Sequence, residues 1–404
     1  MLMSLALIFI FGMILGKLFE RIRIPSLLGM LLTGILVGPY SLNFLDESIL
    51  NISSELRQIA LIIILARAGL NLDLKDLKQI GRPAILMCFV PACLEIIGML
   101  ILAPRFLGLS ILEAAIMGTV VAAVSPAVIV PRMLMLMENG YGTKKRIPQI
   151  ILAGAAVDDI FVIVLFTAFT GLAQSGIITP ISFLTIPTSI IFGIIGGGII
   201  GNVISKIFSN FIIRDTGKVL FILSTSFILV TVEQTLKGYV GFSGLLAIMA
   251  MGISIHQNLP IVADRLSIKF SKLWVGAEIL LFVLVGSTVD INYALNAGYI
   301  VIVLIFGVLA FRLLGVFLSL IKTDLNTKER IFSGISYIPK ATVQAAIGGL
   351  PLAMGLACGE IVLTVAVVSI MVTAPMGAIL IDRMYRKLLT RDKKFQFETE
   401  KENL

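Results

Sequence analysis

The 404 residues are 58% hydrophobic and only 14% charged, with a formal net charge of +8 and a mean hydropathy of +1.05. That balance excludes a soluble globular domain and describes an all-α polytopic membrane protein. The positive excess sits in short clusters between apolar runs and in the tail after Arg383, a pattern suited to anionic lipid headgroups and not to nucleic acid.

Apolar runs of about 17 to 25 residues, the length that crosses a bilayer, predict about thirteen transmembrane spans. In chain order their cores are 2–16, 25–38, 56–69, 83–103, 111–136, 148–172, 183–208, 218–232, 241–255, 271–288, 298–321, 328–355 and 360–384. The first lacks the basic start and small-residue cleavage site of a signal peptide, so it reads as a membrane helix. Spans 2, 8 and 9 are short, which requires tilt, interruption or extension into their flanks.

Lysine and arginine accumulate in short cytoplasmic loops, and here every second connection is basic. The series runs Lys17, Arg21 and Arg23; Lys75, Lys78 and Arg82; Lys144, Lys145 and Arg146; Lys206, Arg214 and Lys218; Arg265, Lys269 and Lys272; Lys322, Lys328 and Arg330; then the tail. The alternate connections carry Arg57, Arg105 and Lys237 with acids such as Asp46, Glu47, Asp290 and Glu360. The alternation predicts an N-terminus outside and a C-terminus in the cytoplasm.

An odd number of spans with a linker at its centre divides into two inverted six-span repeats, about 1–172 and 218–384, around the linker helix 183–208, with 385–404 as a basic cytoplasmic tail. Crossing helix 5 holds Val124-Ser-Pro-Ala127 at its middle, and crossing helix 12 holds Ile338-Pro-Lys-Ala341. A proline removes one backbone donor and clashes with the preceding turn, so Pro126 and Pro339 predict broken helices at matching places, a pointer to a transporter's binding site.

Span 6 carries two adjacent acids, Asp158 and Asp159. An ionisable group at mid-depth costs several kcal/mol, roughly 2.5 to 3.5 on insertion scales, and marks a functional site by default. At about 1.5 Å rise per residue, Glu95 in span 4, Arg312 in span 11 and Lys340 in span 12 share that depth. Neighbouring helical positions differ by about 100°, so one aspartate meets a basic partner while the other faces a cavity. A carboxylate out of water can hold a proton or a small hard cation, and these exclude each other, which is the minimum machinery of exchange. The Ser125 hydroxyl and carbonyls freed at the breaks are candidates to complete an oxygen shell for a monovalent cation held by Asp159 and Asp158, with Lys340 offsetting the negative ends of the half-helices.

Plainer readings stand beside these. Glu95 with Arg312 is equally a structural ion pair, and Lys340 equally a structural neutraliser. Arg67 and Arg132 read as interfacial, snorkelling side chains, and His256 as a solvated helix end. Cys88, Cys93 and Cys358 read as small apolar residues with no disulfide or CxxC metal pattern, and no cofactor is implied beyond the transported ions.

These residues resemble a known family. Arg23-Ile-Pro-Ser through Val37-Gly-Pro39 is similar to the second-helix signature of bacterial monovalent cation/proton antiporters. Arg67-Ala-Gly-Leu-Asn-Leu-Asp73, Val124-Ser-Pro-Ala-Val-Ile-Val-Pro131, the Asp158-Asp159 pair and Pro339-Lys-Ala-Thr-Val-Gln344 resemble the NHA branch of sodium/proton antiporters, related to NhaA and NapA. The resemblance implies sodium or lithium exchange for protons by alternating access across a bacterial cytoplasmic membrane. It implies a homodimer, with core helices 83–172 and 298–384 moving against dimerisation helices 1–69 and 218–288. It also implies that Asp159 binds the ion and that Asp158 faces a basic residue, a lysine in electrogenic relatives. Here that residue is Arg312, which does not release its proton, so electroneutral exchange is expected. The rival activities are potassium/proton antiport, a channel, and an intramembrane aspartyl protease. The protease needs its two acids on separate helices, and the channel needs a filter-like carbonyl run.

Overall fold

The computed structural model describes residues 1–72, 81–175, 185–236 and 241–392; Asp73, Lys75, Lys78, Lys237 and the tail beyond Asp392 lie outside the described residues. Among the described residues the regular elements are helical, and one isolated bridge joins Tyr141 to Arg391. The first half comprises α1 (Leu2–Arg21), α2 (Ser26–Val37), α3 (Glu47–Asn51), α4 (Ser53–Asn71), α5 (Arg82–Met87), α6 (Val90–Leu107), α7 (Ile111–Ala122), α8 (Pro126–Glu138) and α9 (Ile147–Ser175). After the linker helix α10 (Thr185–Asn210) come α11 (Asp215–Leu236), α12 (Gly244–Asn258), α13 (Pro260–Ser287) and α14 (Ile291–Ser319). The last are α15 (Thr327–Ser336), α16 (Thr342–Ile347), α17 (Leu350–Ala353) and α18 (Gly359–Leu388).

Eight helical stretches in the described residues are long and apolar enough to cross a membrane, and shorter apolar helices lie at Ser26–Val37 and Thr342–Ala353. Three boundaries differ from the sequence expectation. α13 begins at Pro260, so Arg265, Lys269 and Lys272 lie on a helix and not in a loop. A hydropathy reading stops at charges, whereas a helix can continue into the interface. Arg57 is likewise no loop residue: it lies on α4, 7% exposed. Span 4 is interrupted between α5 and α6 at Phe89, where Pro91 opens the second piece.

The two expected breaks are present. α7 stops at Ala122 and α8 starts at Pro126, while α15 stops at Ser336 and α16 starts at Thr342. Pro131 and Pro375, by contrast, lie inside continuous helices. The half-helices α7 and α15 open on the same device, a capping box. Ser110 Oγ accepts from Glu113 N at 3.3 Å while Glu113 Oε2 accepts from Ser110 N at 2.9 Å. Asn326 Oδ1 accepts from Glu329 N at 2.9 Å while Glu329 Oε2 accepts from Asn326 N at 2.7 Å. Both halves are therefore pinned at their far ends and released at the middle.

Packing sorts the helices into two groups. α1, α2, α4, α10, α11, α12 and α13 pack on one another, and α5 to α9 pack with α14 to α18. Small residues allow close backbone approach, the usual glue of membrane helices. A Cβ on Gly34 of α2 would overlap the Val283 carbonyl of α13, and one on Gly69 of α4 would meet Gly252 of α12 at 3.1 Å. The groups touch through α9 against α10 and α12, and through α16 against α4 and α13.

Candidate functional site

In an unbroken helix the carbonyls of Val121, Ala122 and Ala123 would accept from residues 125, 126 and 127. Pro126 has no N–H, and the Ser125 N–H turns away to donate to the Pro339 carbonyl at 2.8 Å. The two breaks are thus bonded to each other through backbone. Gly377 of α18 lies against the Pro339 ring, where a side chain would collide.

The charges named from the sequence converge on this crossing. Glu95, Asp158 and Arg312 are 0% exposed and Lys340 is 1% exposed. Arg312 Nη2 donates to Asp158 Oδ2 at 2.7 Å and Nη1 to Glu95 Oε2 at 2.7 Å. Its Nε donates to the Tyr337 carbonyl at 2.9 Å, and Nη1 also donates to the Ala122 carbonyl. Ala122 ends α7 and Tyr337 caps α15, so one guanidinium sits at the negative ends of both half-helices. A fork with five donors suits that geometry, and an ammonium does not. The Tyr337 ring lies under it, 5.2 Å from centroid to guanidinium carbon.

Lys340 has a different partner from the one expected: its Nζ donates to Glu95 Oε2 at 2.6 Å. Arg312, with its reach into both breaks, takes the helix ends. Glu95 and Arg312 do form an ion pair, within a larger network that includes Asp158 and Lys340.

The two aspartates differ as their angular separation requires. Asp158 Oδ2 also accepts from Val124 N at 2.9 Å. Asp159 is half-buried and, among the described residues, forms no ion pair and has an Oδ1 without a hydrogen-bond partner. Among the other buried side-chain oxygens without a partner in the described residues are Asp158 Oδ1, Glu95 Oε1, Ser125 Oγ, Thr342 Oγ1 and Gln344 Oε1. The carbonyls freed in α7 are, contrary to expectation, occupied. Gln344 Nε2 donates to Val121 O at 3.2 Å and Ala123 O at 2.8 Å. The α7 carbonyls are therefore not open oxygens of this crossing. Among the described residues no cluster of three or more His, Cys, Asp or Glu side chains is arranged to hold a metal ion.

Sequence reasoning missed Tyr337, Thr342, Gln344 and Thr373, whose Oγ1 accepts from Lys340 N at 3.0 Å. Thr342 and Gln344 carried a signal, as polar residues of the Pro339–Gln344 run on an apolar span. The role of Tyr337 lies in its carbonyl and carried none.

A cleft of about 330 Å³ borders the crossing on the face that carries Arg21 and Arg23. It lies between Glu20, Pro25 and Glu278 on one side and Ala127, Arg132 and Asp382 on the other. Arg132 is more than an interfacial side chain: its Nε and Nη2 donate to Asp382 at 3.0 and 3.1 Å, joining α8 to α18. Arg67 lies 5.7 Å over the Trp274 ring. His256 is half-buried with Nδ1 2.7 Å from the Leu70 carbonyl, so it is not a solvated end. The three cysteines are unpaired.

The family description "Sodium/hydrogen exchanger, transmembrane" matches residues 5–387. The human protein named sodium/hydrogen exchanger 9B2 is 32% identical over 428 residues, covering 98% of this chain and 78% of its own length. The mouse protein of the same name is 34% identical over 406 residues, covering 96% of this chain and 73% of its own. The solved structure of the sodium proton antiporter MjNhaP1 from Methanocaldococcus jannaschii superposes with a TM-score of 0.82 at 21% identity, covering 96% of this chain and 99% of that one. That likeness carries the fold. A family match over nearly the whole length, joined to an intramembrane charge network at two interrupted helices, makes this integral membrane protein a member of the sodium/hydrogen exchanger family of cation/proton antiporters.

Proposed function

We propose that the protein exchanges one sodium or lithium ion for one proton by alternating access, with Asp159 as the exchanging group. The observation that carries this is a charge count at the crossing. Asp158, Asp159 and Glu95 supply three acids, Arg312 and Lys340 two bases, and each base is already in an ion pair with Asp158 or Glu95. Three minus two leaves one negative charge, on the acid outside those pairs. In a low-dielectric site that charge needs one compensating positive charge, and a proton and a monovalent cation compete for the place. Each half-cycle then moves one charge, and exchange is electroneutral.

On this reading the basic face is cytoplasmic, and the cleft beside Ala127 is the inner access route. The helices around Asp159 slide against α1, α2, α4 and α10–α13, which form the interface of a homodimer in a bacterial cytoplasmic membrane. The names of the relatives, sodium/hydrogen exchanger and sodium proton antiporter, support the choice of ions.

Purified protein in liposomes under an imposed pH gradient is expected to show sodium-driven proton movement without a steady current. Asp159→Asn is expected to abolish it. Intact flux in that variant refutes the role of Asp159, and a current reversing at a two-proton potential refutes the stoichiometry. Potassium competition in the same vesicles separates sodium from potassium exchange.

A further inference from the structure

Gln344 has no place in the charge count, yet it is 0% exposed at the crossing of the two broken spans. It lies on α16, in the second repeat, and both of its hydrogen bonds go to α7, in the first. The carbonyls it meets lost their helical partners at the break. Val121 lost the Ser125 N–H, which donates to Pro339 instead, and Ala123 lies past the last turn of α7. Between them, Ala122 is held by Arg312. All three carbonyls at the broken end are therefore occupied, two of them by one side-chain amide.

A mid-membrane carbonyl without a donor is a ligand for an alkali cation, as in channel filters and interrupted transporter helices. How many such oxygens a site offers, and how freely they move, decides which cation fits. A short, fixed set of side-chain oxygens suits a small ion. Added carbonyls on an untethered chain end raise the coordination number and suit a larger one. We infer that Gln344 is a specificity-determining positioning residue: by occupying the Val121 and Ala123 carbonyls it withholds them from the transported cation, leaving the side-chain oxygens around Asp159 and Ser125 to select it. The same bonds fix the end of α7 relative to α16, so the side chain sets both the number and the spacing of the available ligands.

This rests on the exchange reading above, and wild-type flux tests that reading separately. Gln344→Met keeps the length of the side chain and removes both donors. Gln344→Asn keeps an amide but draws it back by one methylene. Half-saturating sodium and potassium concentrations are measured for wild type and both variants in liposomes, together with the pH dependence of flux. The expected result is a change of tenfold or more in the sodium-to-potassium ratio toward potassium, with the pH dependence set by Asp159 retained. A ratio within twofold of wild type in a variant that still transports overturns the inference. So does a proportional loss for both ions in both variants with a lowered melting temperature, which is the mark of a structural role alone. Absence of cation-driven proton movement in the wild type overturns the exchange reading, and this inference with it.

Discussion

Replacing Arg312 with methionine removes four bonds at one stroke, those to Asp158, Glu95, Tyr337 O and Ala122 O. The losses are unequal. Glu95 keeps Lys340 at 2.6 Å and so keeps its counter-charge. Asp158 keeps only the Val124 N–H and becomes a buried carboxylate without a cation. Breaking a buried pair on one side costs about 3–5 kcal/mol, and each orphaned carbonyl adds about 1–3 kcal/mol unless the chain relaxes. The Asp158→Asn change relieves the dominant part, because a neutral amide needs no counter-charge. The double variant Asp158→Asn/Arg312→Met should therefore be more stable than Arg312→Met alone, although it carries one substitution more. Thermal unfolding in detergent, followed with a thiol-reactive dye that reports exposure of the buried Cys88 and Cys358, should place the variants in the order wild type, double, single. A single variant that melts with the wild type, or a double variant below the single, refutes the assignment of Arg312 as the clamp of the crossing.

Two further outcomes follow from local geometry. A Cβ at Gly154 of α9 would collide with the Tyr337 hydroxyl and come 2.9 Å from Met87 Cβ, so Gly154→Ala should cost about 1–3 kcal/mol. By displacing the carbonyl that holds Arg312 Nε it should also lower the maximal flux, and a variant with wild-type melting and flux would sink that argument. Outside the membrane, hydrogen bonds from the Ser48 hydroxyl and then the Ser48 N–H hold the Asp46 carboxyl below the usual carboxylate range. The stabilisation of the α3 cap is present above the unfolded value, about 3.9, and fades as pH falls through the lower folded value. The protection of the Ser48 amide, taken relative to its intrinsic exchange rate at each pH, should fall on acidification through that window and lose this dependence in Asp46→Ala; pH-independent protection in the wild type would contradict it.

The sequence made some of this site legible for a physical reason. A charge in an apolar run stands out whatever its neighbours, so Asp158, Asp159, Glu95, Arg312 and Lys340 were visible. Helical geometry alone required the two aspartates to part. Pro126 and Pro339 announced the breaks because a missing N–H is a property of the residue itself. What stayed hidden depended on reach and on backbone. Which base reaches the helix ends follows from side-chain length across a three-dimensional crossing: Arg312 keeps its expected acids, Asp158 and Glu95, and also takes the helix-end carbonyls expected for Lys340, which turns to Glu95. The freed carbonyls carry no residue code, so nothing announced that Gln344 and Arg312 had claimed them. The early start of α13 and the burial of Arg57 escaped because hydropathy treats a charge as an end, whereas a long basic side chain can be accommodated along a helix.

The bond from Ser125 N–H to the Pro339 carbonyl joins the two repeats at their centre without any side chain. A mutational scan will therefore pass over it: alanine, asparagine or threonine at position 125 presents the same donor, and almost any residue at 339 the same acceptor. Those substitutions report on hydroxyl and ring, never on the rivet between the halves. Among substitutions only Ser125→Pro removes the donor, at the cost of a second ring beside Pro126; otherwise the bond is read by an ester in place of the amide preceding Ser125. The backbone link between the two repeats is one on which every side-chain substitution except proline is silent.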